Sequence, residues 1–162
     1  MPATSGLKSS AVKTIRQKVI VPASPAEVYE AFVDAKIHAA FTGSPAKGSR
    51  RVGSHFAACG GYIDSVHREL VPGKRIVQDW STTEWPEGAP VSRLELTLEP
   101  VAKGTELRMV HSNVPASQAD SYRQGWIDYY WQPLNAYFEE RAKTQGAADR
   151  PRRRAASRPT RR

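Results

Sequence analysis

Four histidines (His38, His55, His67 and His111), one cysteine (Cys59) and a few carboxylates are the side chains in this 162-residue chain that could move protons, ligate a metal or attack an electrophile. Their spacing narrows the chemistry at once. No HxxxH, HExxH or CxxC pattern occurs, so nothing local points to a metal site. There is no Ser/His/Asp order, nucleophile elbow or phosphate loop. Cys59 precedes Gly60 and Gly61 and reads as a turn residue, because a reactive thiolate needs a neighbouring cation or helix N-terminus that the sequence does not supply. The strand alternation puts His67 and Glu69 at the same parity, and His111 on the face of Leu107 and Met109. If that face is concave, His67, Glu69 and His111 are polar groups in an apolar cavity, able to orient a ligand or move a proton. The alternative is that each histidine is a hydrogen-bonded core group or sits at a solvated strand end.

The aromatic residues pose a parallel question. In IVQDWSTTEWPEG, Trp80 ends an alternating apolar run and Trp85 stands inside the following turn. Such a pair either plugs the end of a core, where large rings bury most of their area, or lines the mouth of a cavity. The same choice applies to Trp126, Tyr129 and Tyr130. On the cavity reading the ligand-lining set is Phe56, His67, Glu69, Trp80, Trp85, Met109, His111, Trp126 and Tyr130, with no catalytic residue assigned.

These side chains need elements to hold them. Ile15, Gln17, Val19 and Val21 alternate with Arg16 and Lys18, the period of a half-buried strand that stops at Pro22. SPAEVYEAFVDA then carries a helix start, with Ser24 as N-cap, Pro25 at the first helical position and Glu27 placed to close a capping box. A short helical piece over 37–41 ends at Thr42-Gly43. Five strands are predicted over 53–58, 62–70, 75–81, 92–99 and 105–114. The connections between them are too short for crossover helices, so they form an antiparallel meander. From 117 to 144 the period returns to that of a helix, with Pro133 inside it as a predicted kink. Strand, helix, meander and long C-terminal helix make an α+β layer, whose interlayer space is where small-molecule pockets form.

Composition bounds the rest. One domain of this length buries roughly two thirds of its unfolded surface. The formal charge of +8 is unevenly placed: residues 146–162 hold seven arginines against Asp149, which leaves 17 basic and 15 acidic residues in 1–145. Residues 1–9 read as a disordered leader, 10–145 as the domain and 146–162 as a disordered Arg-rich tail able to touch nucleic acid or anionic surfaces non-specifically. No aromatic is interleaved in that tail to stack on bases. There is no apolar run of the ~20 residues that span a bilayer and no signal-peptide core, which predicts a cytoplasmic protein.

The segments ELVPGKRIVQDW, EWPEG and RQGWIDYYW, with SPAEVYEAFVDA and AFTG before them, resemble the C-terminal domain of the activator of the heat-shock protein 90 ATPase, within the START-like (SRPBCC) superfamily. The likeness runs from about Ala11 to Arg141. It implies a helix-grip (START-like/Bet v 1-like) fold, a curved antiparallel sheet wrapped around a long C-terminal helix. The leading expectation is a non-catalytic module that holds a hydrophobic or amphipathic small molecule between sheet and helix, without a cofactor. A chaperone-interacting protein is the second reading, with Trp80, Trp85 and WPEG as an exposed contact surface. An enzyme that uses His67 or His111 as acid or base is the third.

Overall fold

A computed structural model describes the backbone of residues 11–157 and the side chains up to residue 144. The expected leader over 1–9 therefore lies outside the described residues. Strand β1 (Val12–Val21) is followed by helices α1 (Pro25–Val33) and α2 (Ala35–Thr42). Six strands come next: β2 (Lys47–Gly48), β3 (His55–Ala58), β4 (Ile63–Val71), β5 (Arg75–Thr82), β6 (Ser92–Val101) and β7 (Gly104–Pro115). The chain ends in helix α3 (Ala119–Trp126), a π turn (Ile127–Trp131) and helix α4 (Gln132–Ser157). All seven strands form one curved antiparallel sheet in the order β1-β7-β6-β5-β4-β3-β2, so the first strand pairs with the last. This is the helix-grip arrangement.

Local chemistry sets the helix ends. Glu27 N–H donates to Ser24 Oγ at 3.2 Å and Ser24 N–H donates to Glu27 Oε1 at 3.0 Å, the expected capping box. Asp34 closes α1 and caps α2, with Oδ1 accepting from the Lys36 and Ile37 amides. Gly43 ends α2 in the left-handed conformation, φ 76°, which costs glycine no steric strain.

One face of the sheet is apolar. Leu94, Leu96 and Leu98 of β6, Leu107 and Met109 of β7, and Ile76 of β5 face Val28 and Phe32 of α1 and Trp126, Tyr130, Leu134 and Phe138 of the C-terminal helices. A fully buried side chain such as Leu134 contributes about 1.5–3 kcal/mol. The opposite face is a ladder of charges, with Arg68 on Asp79, Arg75 on Glu69 and Glu95, and Arg93 on Glu95.

The C-terminal helix departs from expectation in two ways. Its irregularity at Pro133 takes the form of a π turn immediately before it, in which Gln132 N–H donates to the Ile127 carbonyl. Pro133 has no N–H to offer Tyr129 and its ring crowds that carbonyl, so widening the preceding turn relieves the clash. Gln17 of β1 holds this turn in place: its Oε1 accepts from the Trp131 indole N–H at 2.6 Å and its Nε2 donates to the Arg123 carbonyl at 3.0 Å. The helical backbone also continues to Ser157, past the expected end near residue 144. Ala and Arg, which dominate that stretch, rank among the better helix formers. Residues 158–162 of the expected tail lie outside the described residues.

Candidate functional site

A cavity opens at one end of the sandwich, where the Cys59–Gly61 turn, the start of β4, the end of β5 and the α3/π segment meet. Its volume is about 470 Å³. Trp80, Tyr122, Trp126 and Tyr130 form its floor and inner wall. Tyr62, Cys59, Ile63 and Ser44 line the side under the 3₁₀ turn, and Ser121, Gly125 and Tyr129 line the helix side. Glu84, in the loop after β5, is the single charged residue lining it among the described residues. Tyr129 stands at the rim with 68% of its surface exposed.

The helix side of this cleft follows from spacing: Tyr122, Trp126 and Tyr130 recur every four residues and share one face. In a regular α-helix Trp131 would point about 140° away from Trp126. The π turn brings the two to the same side, and their rings stack at 5.3 Å with an interplanar angle of 16°. Trp126, Tyr130 and Trp131 are therefore all buried against the sheet.

Hydrogen bonds fix the polar atoms of these rings. Trp126 Nε1–H donates to His111 Nδ1 at 3.1 Å, His111 Nε2 lies 2.8 Å from Ser92 Oγ, and Ser92 Oγ donates to the Trp80 carbonyl at 2.8 Å. Since Ser92 spends its proton on that carbonyl, His111 carries its own on Nε2 and is neutral. Burial lowers its pKa to about 3. His38 is held in the same way, with Nδ1 against the Phe32 carbonyl at 3.3 Å and Nε2 accepting from Tyr130 O–H at 2.8 Å. Burial brings its pKa down to about 4, against a small opposing effect of the Phe32 carbonyl. Burial raises Tyr130 well above the ordinary phenol value and also pushes the Cys59 thiol up, with Tyr130 as a partial counterweight, so Cys59 is a poor nucleophile.

The rim is built around Glu84. Its carboxylate Oε1 accepts from Tyr62 O–H at 2.6 Å, its amide donates to Thr82 Oγ1 at 3.1 Å, and its carbonyl accepts from Gln118 Nε2 at 2.7 Å. Thr82 and Gln118 both also bond the Tyr122 hydroxyl, which ties the loop to α3. Burial first, and then the Glu84 contact, raise the Tyr62 pKa above the phenol value.

Of the residues expected to line a cavity, Trp80, Trp126 and Tyr130 do so. Trp85 backs the cleft without lining it. It packs edge-on against Trp80 at 5.9 Å, and its indole N–H donates to the carbonyl of Pro90 in the exposed loop at 3.0 Å. Trp80 itself is 4% exposed and contributes nothing to an outward surface, whereas Trp85 is half-buried in a turn whose Glu87 and Gly88 are exposed. Phe56 reaches only a second void of about 20 Å³ deeper between sheet and helix, a space for one water. His67, Met109 and His111 are fully buried and line neither space. The expected space between sheet and C-terminal helix is thus reduced at its centre to the small void, with the larger cleft at its end. Neither His67 nor His111 reaches the cleft, while His38 borders the smaller void.

Glu69 is the clearest correction. A β-bulge between His67 and Glu69 pairs His67 with Gln78 but Glu69 with Val77, which reverses the parity. His67 points into the core, where its Nδ1 accepts from Gln78 Nε2 at 3.2 Å, while Glu69 points to the outer face and pairs with Arg75 at 3.1 Å. The His67 Nε2 has no hydrogen-bond partner; burial lowers the pKa of this ring, and the nearby Ser49 backbone offsets that without reaching hydrogen-bond geometry.

Tyr122 and Glu84 were not among the expected residues. Tyr122 was legible in principle as the next member of the Trp126/Tyr130 stripe. Glu84 lies in a loop whose course no periodicity encodes. Among the described residues, no three His, Cys, Asp or Glu side chains converge as metal ligands, and no helix is long and apolar enough to cross a membrane.

Comparison with known proteins agrees with this architecture. The family profile described as "Activator of Hsp90 ATPase homolog 1-like protein" matches residues 22–139. The human protein "Activator of 90 kDa heat shock protein ATPase homolog 1" is 34% identical over 115 residues, which is 71% of this chain and 34% of that one. The chain thus spans about a third of the length of the curated relatives it matches. Among solved structures, an HSP90 activator from Plasmodium falciparum superposes with a TM-score of 0.68 at 22% identity, covering 79% of this chain and 96% of that one. The Aha1 dimer from Colwellia psychrerythraea gives a TM-score of 0.64 at 22% identity, covering 76% and 96% respectively. At such identities the two structures establish the fold alone.

Proposed function

Since this chain belongs to the Activator of Hsp90 ATPase homolog 1-like family, we propose that it is a chaperone-interacting protein of the heat-shock protein 90 activator type. The observation that supports this reading is the 34% identity to the human activator over 71% of the chain. On this reading the domain acts in the cytoplasm by surface contact with the chaperone. The charge ladder on the outer face of the sheet makes that contact sensitive to salt. The Arg-rich stretch 146–162 adds a non-specific attraction to anionic surfaces. The test is retention of the purified full chain on an immobilised heat-shock protein 90 type chaperone from the same host, together with the chaperone's ATPase rate. Binding with a raised rate is expected. No retention at modest salt and no change in rate removes the reading.

A second reading rests on a different observation, the aromatic cleft of about 470 Å³. That volume falls in the range of small-molecule pockets. Its floor of Trp80, Tyr122, Trp126 and Tyr130 suits an apolar or amphipathic ligand held without covalent chemistry. Native mass spectrometry of protein purified from its own host, with tryptophan emission before and after lipid extraction, tests it. A bound mass whose removal shifts the emission is expected. An apo mass with unresponsive emission eliminates the cleft as a ligand site in that host.

A further inference from the structure

We propose that the cleft is selective for cationic amphiphiles: a short apolar tail seated on the indole and phenol rings, with a substituted ammonium head at Glu84. This inference rests on the reading of the cleft as a ligand site and names the class of ligand.

The electrostatics of the lining carry it. Six of the twelve lining residues are Trp or Tyr (Tyr62, Trp80, Tyr122, Trp126, Tyr129 and Tyr130), and Glu84 is the one residue among them with a formal charge. Aromatic faces present negative potential and attract cations, most strongly for Trp. Among the described residues, no Lys, Arg or His lines the cavity to receive a carboxylate, sulfate or phosphate head.

Glu84 is also pre-positioned. Its amide, its carbonyl and its carboxylate Oε1 are held by Thr82, Gln118 and Tyr62 in turn. Its loop therefore has little freedom to swing the charge away from the rim. Tyr62 occupies Oε1 as a donor, which leaves Oε2 as an acceptor with no protein hydrogen bond among the described residues. The bound head is thus expected between Oε2 and the exposed Tyr129 ring. A substituted ammonium suits that position better than a primary amine, because its methyl groups shed water readily against the rings.

The proposal makes a prediction opposite in sign to the protein's overall field. A chain of net charge +8 attracts anions in general. Calorimetric titration of the full chain with octyltrimethylammonium, 1-octanol and octyl sulfate, all below their micellar concentrations, separates the two effects. The cation is expected to bind about ten-fold more tightly than the sulfate, with the alcohol between them. Glu84→Gln, which keeps an oxygen for Tyr62 to donate to, is expected to narrow that gap to about two-fold and to leave the affinity for the alcohol unchanged. Equal binding of all three probes retains the cleft and overturns its charge selection. A cation preference that survives in Glu84→Gln overturns the role of the carboxylate. Binding of none of them removes the cleft reading and this proposal together.

Discussion

Trp126 donates its indole N–H to Nδ1 of His111 across 3.1 Å, and that bond joins the C-terminal helix to the inner face of the sheet through a histidine with no exposed surface. His111 Nε2 continues the chain to Ser92, so both ring nitrogens serve structure. The bond turns a residue that resembles a catalytic base in the sequence into a strut.

His111 and His38 make the fold sensitive to acid. Their folded pKa values, about 3 and about 4, lie below the unfolded value near 6.5. The unfolded chain therefore binds protons first, and their contribution to stability, complete above pH 6.5, is lost as the pH falls towards the folded values. Each histidine is expected to cost about 1.4 kcal/mol per pH unit within that window. Urea midpoints at pH 7, 6 and 5 measure it, and a midpoint unchanged from 7 to 5 would show both rings protonating inside the fold.

Gln17 ties β1 to the π turn through Trp131 and the Arg123 carbonyl. Gln17→Leu keeps the volume and removes both bonds, leaving an indole N–H without its acceptor. A loss of about 1–3 kcal/mol is expected in chemical denaturation, with near-ultraviolet circular dichroism reporting a change around the stacked Trp126 and Trp131. A variant as stable as the parent would mean that packing alone holds the π turn.

Glu69 lies on the outer face in an ion pair with Arg75, both partly solvent-exposed. Glu69→Gln is expected to change stability by less than about 1 kcal/mol and to leave every titration of the cleft as it was. A ligand effect from this substitution would contradict the bulge that turns the side chain outward.

Gly125 lines the cleft from α3, and an added Cβ there would meet only Tyr129 Cδ2 at 3.9 Å, an ordinary contact. Gly125→Ala is expected to stabilise the helix by about 0.5–1 kcal/mol. Gly125→Leu directs a larger side chain into the open space and is expected to fold while weakening any cleft ligand at least ten-fold by volume exclusion. Melting temperature and titration of the two variants side by side separate the effects. Undiminished binding in Gly125→Leu would place the ligand elsewhere.

The sequence alone determined the elements and their layering. Alternation in β6 and β7, the Ser24/Glu27 capping box and the four-residue stripe of Trp126 and Tyr130 are local signals, set by backbone geometry and the need to bury one face. Their order pointed to an α+β layer, and the resemblance carried by ELVPGKRIVQDW, EWPEG and RQGWIDYYW implied the helix-grip arrangement. Three decisions belonged to the tertiary structure. The bulge after His67 reversed the face of Glu69, because a single extra residue in one strand shifts parity without leaving a mark in composition. The π turn ahead of Pro133 swung Trp131 onto the sheet beside Trp126, reduced the centre of the interlayer space to the small void and left the larger cleft at its end. Glu84 reached the rim because Gln118 and Tyr62, from two distant segments, close on a loop that Thr82 already turns locally, and long-range hydrogen bonds of that kind have no periodicity to be read in advance.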